Sequence, residues 1–387
     1  MPSASLTHPD SPMNTGLSSA GAFTLLAIAC LTIMVGCVIV PGLPTIAGHL
    51  QVSQAAGWLV TLPSLGVVLL GPLAGVCIAR LGTYRALAWG LFAYGLLGAG
   101  GALLKGMPLV LADRFLLGGA TALVMAAGTG LLSAFYQGSA RLTMIARQGM
   151  SIELGGVIFL FIGGVLATIG WRWPFTLYLV AWLFLLMLRL WVPRPADKRA
   201  AATPADVAPL LWRVYATAFF AMVCFFTAVI MLPVRFHTLG LGEAQTGYFL
   251  SFVSLVAVGA AWLMPRVVAR AGERTTLLLA FLAYGAGQGM FALAATLPLY
   301  ILGGVLLGLG FGLSVPLVNH QTVAQSPVAA RGKNLARLSM AIFSGQFCAS
   351  FMALLPGTQP AFWAAALLAL AAGPALMMLR HSGETPR

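Results

Sequence analysis

Charge is what this sequence has least of. Its 387 residues hold 8 Asp+Glu and 21 Lys+Arg, so that only 7% of the chain is charged. A soluble domain carries roughly 25% charge. A soluble enzyme, a disordered chain and a nucleic-acid-binding protein are therefore excluded, the last despite an isoelectric point near 10.2. Cysteine is scarce as well. Cys30, Cys37, Cys77, Cys224 and Cys348 stand in apolar runs with no CxxC pair, which argues against a disulfide framework or a zinc site. No HExxH, GxSxG or acid/His pair falls on an apolar run, and there is no nucleotide-binding loop. A membrane hydrolase and direct drive by ATP are disfavoured, and no metal or cofactor is expected. The 45 Gly and 22 Pro follow no G-X-Y period, which removes collagen.

What is present is hydrocarbon. Apolar residues make up 60% of the chain and the mean hydropathy is +0.96. A helix needs about 20 apolar residues to cross a bilayer. Twelve such runs are found, near residues 21–40, 57–78, 86–104, 108–135, 148–169 and 174–191, then 214–232, 247–265, 276–295, 298–318, 338–355 and 361–379. The expected fold is an all-α polytopic membrane protein with twelve transmembrane helices. Residues 1–20 are polar and free of Lys and Arg, so they read as a disordered tail rather than a secretory signal. Residues 193–209 read as a flexible linker between six-helix bundles at 21–192 and 210–380, with a short tail at 381–387.

Basic residues orient the chain. With the N-terminus inside, 17 of the 21 Lys and Arg, among them Lys198, Arg199, Arg380 and Arg387, fall on inner loops and tails. Lys105, Arg114, Arg172 and Arg235 are the other 4. This is a positive-inside pattern, and it places both termini in the cytoplasm of a bacterial inner membrane. The net charge of +13 then meets anionic headgroups.

Sliding the sequence on itself by 190 residues yields an ungapped register with 28 identities across the 101 positions from 57 to 157. Chance would give about a tenth of those positions. Ala79-Arg80 falls on Ala269-Arg270, Gly82 on Gly272, Ala93-Tyr94-Gly95 on Ala283-Tyr284-Gly285, and Ala146-Arg147 on Ala336-Arg337. Six spans return the chain to the side where it began. The halves should be related by a two-fold axis along the membrane normal, with substrate bound between them.

The motifs carry a resemblance. Gly75 to Arg85, with Arg80 and Gly82, resembles the G-x-x-x-D-R-x-G-R-[RK] gating loop of the major facilitator superfamily, and Ala269 to Arg274, with Arg270 and Gly272, resembles a second copy. Asp113-Arg114 through Gly119 resembles the family's R-x-x-Q-G motif. Gly163-Gly164 through Phe175 resembles the end of the antiporter motif and the G-W-R-W-x-F segment after it. The resemblance covers essentially the whole chain and implies the major facilitator fold, built as two pseudo-symmetric six-helix bundles. It lies nearest the twelve-span drug:proton antiporter branch. Ala79 and Ala269 replace the usual loop aspartate, and Phe159-Leu160 replaces the usual Gly-Pro pair. The latch between the halves is accordingly expected to be weakened or rebuilt, with Arg80 against helix carbonyls.

Charge within a bilayer costs at least about 2.5–3.5 kcal/mol per residue on insertion scales, so each instance suggests function. Asp113, Arg114 and Glu153 are the three, and their counterparts in the second half are Gly303, Gly304 and Phe343. Being adjacent, Asp113 and Arg114 are about 100° apart around a helix and are not expected to pair. Arg114 is expected to face the central cavity, as the family arginine does. Glu153 or Asp113 would carry a proton, with Arg114 as the modulating charge. The structural alternative for Glu153 is a pair with Arg147. Trp58, Tyr94, Tyr248, Phe252, Tyr284, Gln288 and Gln346 are candidates to line a cavity, with packing and interhelical hydrogen bonding as the alternatives.

The leading expectation is a monomeric, proton-coupled exporter of small, largely apolar molecules such as a drug, a toxic metabolite or a metallophore. A symporter or facilitator importing a polar nutrient is the alternative, and a transporter-like sensor without flux is a third. In each case the partners are a small molecule, protons and the lipid bilayer, not a nucleic acid.

Overall fold

The computed structural model describes residues 17–136, 138–195, 211–327 and 330–378. Most of the N-terminal tail, most of the linker, the C-terminal tail, and Lys198, Arg199, Arg380 and Arg387 lie outside the described residues.

In hydrocarbon every backbone polar group must be satisfied within its own segment, and a chain this apolar forms helices. Span one is Ser19–Cys37, followed by a short helix Leu43–His49. Spans two to six are Ala56–Leu81, Thr83–Leu103, Met107–Phe135, Gly138–Ile169 and Trp173–Trp191. Span seven is Trp212–Thr238. A continuous stretch of 51 residues, Glu243–Leu293, holds two spans, because Gly272 inside it has the non-helical angles φ 79° and ψ 161°. Spans eight and nine are thus residues 243–271 and 273–293. Span ten is Leu297–Ala324, span eleven Arg331–Cys348 with a 3-10 extension Ala349–Leu354, and span twelve Thr358–Met378. Proline stands in the first turn of spans four, six and ten, where its missing N–H has no helical partner to lose.

The two largest departures from the apolar runs are at helix starts. Span five begins about ten residues before position 148, and span eleven seven residues before 338. In both, the first turns are basic and polar, so hydropathy marks where the helix enters lipid rather than where it starts.

The duplication is visible in the backbone. Gly82 and Gly272, 190 residues apart, share φ 79°, with ψ 156° and 161°, a region open essentially to glycine alone. Each turns the chain between two spans at the same end of its half. Gly118 of span four lies on the carbonyl of Pro63, and its counterpart Gly308 of span ten lies on the carbonyl of Val253, the counterpart of Pro63. Small residues at these crossings let the two backbones touch.

The two faces of the molecule differ. Exposed Arg80, Arg85, Arg270 and Arg274 near helix ends, and Arg147 in the polar first turns of span five, lie on one of them, called the basic face below. At the opposite, far face the halves are closed on each other. Gly57 of span two meets Ile230 of span seven and Ser350 and Ala353 beyond span eleven. Its counterpart Gly247 of span eight meets Gly164 of span five Cα to backbone. Thr45 Oγ1 donates to Glu243 Oε1 at 2.8 Å, joining the loop after span one to the start of span eight.

Candidate functional site: the seam between the halves

Two helix pairs form the seam, span five with span eight and span two with span eleven. On span five, residues 164, 160, 157 and 153 follow one another at three- and four-residue steps and form a single stripe. Gly164 and Leu160 pack on Gly247, and Ser251 Oγ donates to the carbonyl of Val157 at 3.0 Å. On span two the corresponding stripe is Gly57, Ser64, Gly71 and Gly75. Ser64 Oγ donates to Gln346 Oε1 at 2.8 Å across the seam, both residues being buried. Val67 then packs in one apolar cluster with Phe343. Toward the basic face the contacts stop. Gly71, Gly75 and Gly149 have no neighbour beyond their own helix backbone within 4 Å of where a Cβ would stand, and Met150 is 72% exposed. The halves are zipped from the far face to mid-membrane and part below it.

Glu153 lies on the span-five stripe one turn beyond Val157, where the zip ends. It is half-buried, and among the described residues it makes no hydrogen bond or ion pair, so the alternative of a pair with Arg147 is not realised. Its counterpart Phe343 occupies the equivalent place on the other seam and fills it with a ring. One half of the repeat thus offers a carboxyl where the other offers an apolar plug.

Asp113 and Arg114 depart from expectation twice. They do pair: Arg114 Nη2 and Nε reach Asp113 Oδ2 at 2.8 and 3.1 Å. A 100° separation at Cα does not prevent the pair, because the guanidinium stands at the end of a long, flexible stem. Arg114 also does not face the space between the halves. It is 1% exposed and donates to the Tyr178 hydroxyl at 3.4 Å and to the carbonyls of Gly98 and Leu97 at 3.4 and 3.5 Å. Its guanidinium lies 5.5 Å from the Phe175 ring and 5.6 Å from the Tyr178 ring. Tyr178 in turn donates to the carbonyl of Val35 at 2.9 Å. Spans one, three, four and six are tied by one arginine. Gly101 has no room for a side chain, because Arg114 occupies that space.

The aromatic and amide candidates divide. Tyr94 is fully buried and donates to the carbonyl of Leu31 at 2.7 Å, and Tyr284, also buried, bonds the Ser314 hydroxyl at 3.0 Å. Gln288 is buried with its amide on the carbonyl of Cys224, and Gln346 is the seam bond already described. These four bond to neighbouring helices. Tyr248 stacks on Phe161 across the seam at 5.1 Å, while Trp58 and Phe252 are half-buried.

In the loops, Arg80 and Arg270 are exposed and make no hydrogen bond or ion pair among the described residues. The expected Arg80 latch onto helix carbonyls is absent, in keeping with halves that are parted on this face. Gly163 sits against the carbonyl of Val38, just past span one, while Gly164 meets span eight, so the Gly-Gly pair serves its own half and the other at once.

Sequence reasoning missed Thr45, Glu243, Ser251 and Tyr178. Glu243 carried a signal, an acid opening a helix after Gly242. Tyr178 carried none, since its partner Arg114 is 64 residues away in sequence.

Twelve spans among the described residues, arranged in two repeated halves, define the class as a polytopic membrane transporter. The chain belongs to the Major Facilitator Superfamily, whose sequence profile matches residues 24–348. Searched by sequence against curated proteins, the chain finds no match. Among solved structures it is similar to the D-xylose-proton symporter, with a TM-score of 0.73 and 17% identity over 93% of this chain and 97% of that one. The nucleoside transporter NupG gives 0.70 and 11% over 92% and 99%. The human organic anion transporter MFSD10 gives 0.65 and 17% over 95% and 100%. At these identities the likeness is one of fold.

Proposed function

We propose that the protein is a proton-coupled secondary transporter that exports small, largely apolar molecules, and that Glu153 carries the proton. The observation behind this reading is the unpaired Glu153 carboxyl at the point where the seam opens. A carboxyl there is reached from the basic face while the halves are parted on that side. Rocking the halves would zip the lower part of the seam, bringing Gly71 and Gly75 of span two and Gly149 of span five against their partners, and would present Glu153 to the far face. The positive-inside pattern makes the basic face cytoplasmic, so that the present arrangement is inward-facing. The Asp113–Arg114 pair is then a brace rather than a switch, because its groups already satisfy one another away from the seam.

Export rests on the antiporter-like Gly163-Gly164 segment and on the low charge of the chain, 7% of its residues. Sugar and nucleoside transporters share the fold, and import of a polar solute is the competing reading. Purified protein in vesicles with a pH-sensitive dye inside discriminates between them. A lipophilic compound should cause proton movement opposite in direction to its own. Sugars or nucleosides moving in the same direction as protons would overturn the export reading.

A further inference from the structure

Each half has a hollow at the basic face between its first, fourth and sixth spans and the gating loop, and the two halves treat it differently. In the first half it is filled. Gly21 is covered by the Leu17 side chain and the carbonyl of Trp191, and the Tyr84 hydroxyl rests on the carbonyl of Leu188 at 3.2 Å. In the second half the counterpart of Gly21 is Leu211 and that of Tyr84 is Arg274. There a cavity of about 290 Å³ remains, lined by residues that include Trp212, Arg213, Thr217, Arg274, Gln321 and Gln325.

The chemistry of the lining is that of an anion site at a membrane surface. Arg213 donates to the carbonyl of Leu376 at 2.9 Å, which fixes its guanidinium on the wall. Glu273 also lines the cavity, but its Oε2 accepts from Gln321 Nε2 at 2.8 Å. Arg274 is exposed and makes no hydrogen bond or ion pair among the described residues. Trp212, 47% exposed at the first residue of span seven, marks the headgroup level, where indole rings collect. Basic pockets between spans at this level suit phosphate headgroups, and a planar guanidinium matches a phosphate bidentately.

We propose that this cavity binds the phosphate of an anionic phospholipid from the leaflet on the basic face, with Arg274 as the principal contact, Arg213 beside it and Trp212 against the acyl-chain side. The occupant would pin span seven to the loop between spans eight and nine and to spans ten and twelve. The first half does this with its own side chains, Tyr84 and Leu17.

The test uses the full chain in detergent, with phosphatidylglycerol, phosphatidylcholine or inorganic phosphate added. Lipid retention is read by native mass spectrometry and stability by thermal melting. Wild type should retain phosphatidylglycerol over phosphatidylcholine and melt higher with it. Arg274→Ala should reduce that retention about fivefold, the effect of one basic residue at an anionic surface. Gln325→Trp, which fills the cavity without changing charge, should reduce it as well, and this variant decides the matter should Arg274→Ala fail to fold. Arg270→Ala, an equal charge change on the same loop outside the cavity, should retain the lipid. Undiminished retention in Arg274→Ala and Gln325→Trp would overturn the site, and so would equal loss in Arg270→Ala, which would indicate diffuse attraction. Inorganic phosphate protecting as well as phosphatidylglycerol would overturn the lipid as its source.

Discussion

The two halves share a plan and divide the work. Gly82 and Gly272 turn the chain alike, Gly118 and Gly308 cross alike, and Tyr94 and Tyr284 are both fully buried hydroxyl donors or partners inside their bundles. The polar groups are not shared. The first half holds the Asp113–Arg114–Tyr178 brace and the half-buried Glu153, and the second has Gly303, Gly304 and Phe343 at those positions. Its own buried amide, Gln288, stands where the first half has Gly98, the residue whose carbonyl Arg114 uses. A duplicated scaffold keeps the residues that set backbone geometry, because both copies must close against each other. It is free to lose charge in one copy, because every buried charge costs stability and backbone geometry does not depend on it.

The largest break in this comparison is at Arg114. Arg114→Met leaves the buried Asp113 unpaired and should destabilise the first half by about 3–5 kcal/mol, the usual penalty for breaking a buried pair. The double variant Asp113→Asn/Arg114→Met should recover much of that loss. Thermal melting in detergent of the two single and one double variants checks it. The counterparts in the second half are Gly303 and Gly304, which carry no charge.

Next come the shared turns. Gly82→Ala and Gly272→Ala each force a side chain into a backbone region reserved for glycine and should each cost about 1–3 kcal/mol. The two losses should be alike, as melting temperatures will show. A clear inequality would mean that the turns are not equivalent in energy despite equal angles.

The smallest effect tests the paired tyrosines. Tyr94→Phe and Tyr284→Phe each remove one buried hydrogen bond, with an expected loss of about 0.5–1.5 kcal/mol and little change in transport. A large loss of transport in either would return that tyrosine to the substrate path.

How much of this could be read from the chain depends on the range of the interaction. The apolar runs, the positive-inside pattern and the 190-residue repeat are properties of composition and spacing, and they yield twelve spans and two halves directly. Gly82 and Gly272 were legible because a repeat preserves what a turn requires. Glu153 was legible as a rare charge in lipid, and its place on the seam was not, since that depends on where span eight packs on span five. The brace around Arg114 was hidden for the same reason. Its partners Leu97, Gly98 and Tyr178 come from two other spans, and nothing in the adjacency of Asp113 and Arg114 says that the side chain will turn back and bond its neighbour. Tyr94, Tyr284, Gln288 and Gln346 have the residue types of a cavity wall, but burial against a neighbouring helix satisfies the same chemistry.

The most direct measurement compares two modes of transport in vesicles for Glu153→Gln, once a transported compound is identified. Exchange of labelled for unlabelled compound needs no proton to move, whereas accumulation against a gradient does. Glu153→Gln should preserve exchange while abolishing accumulation driven by a pH difference, and Phe343→Leu, the matching site in the second half, should preserve both. Undiminished pH-driven accumulation in Glu153→Gln would contradict the assignment of coupling to this carboxyl.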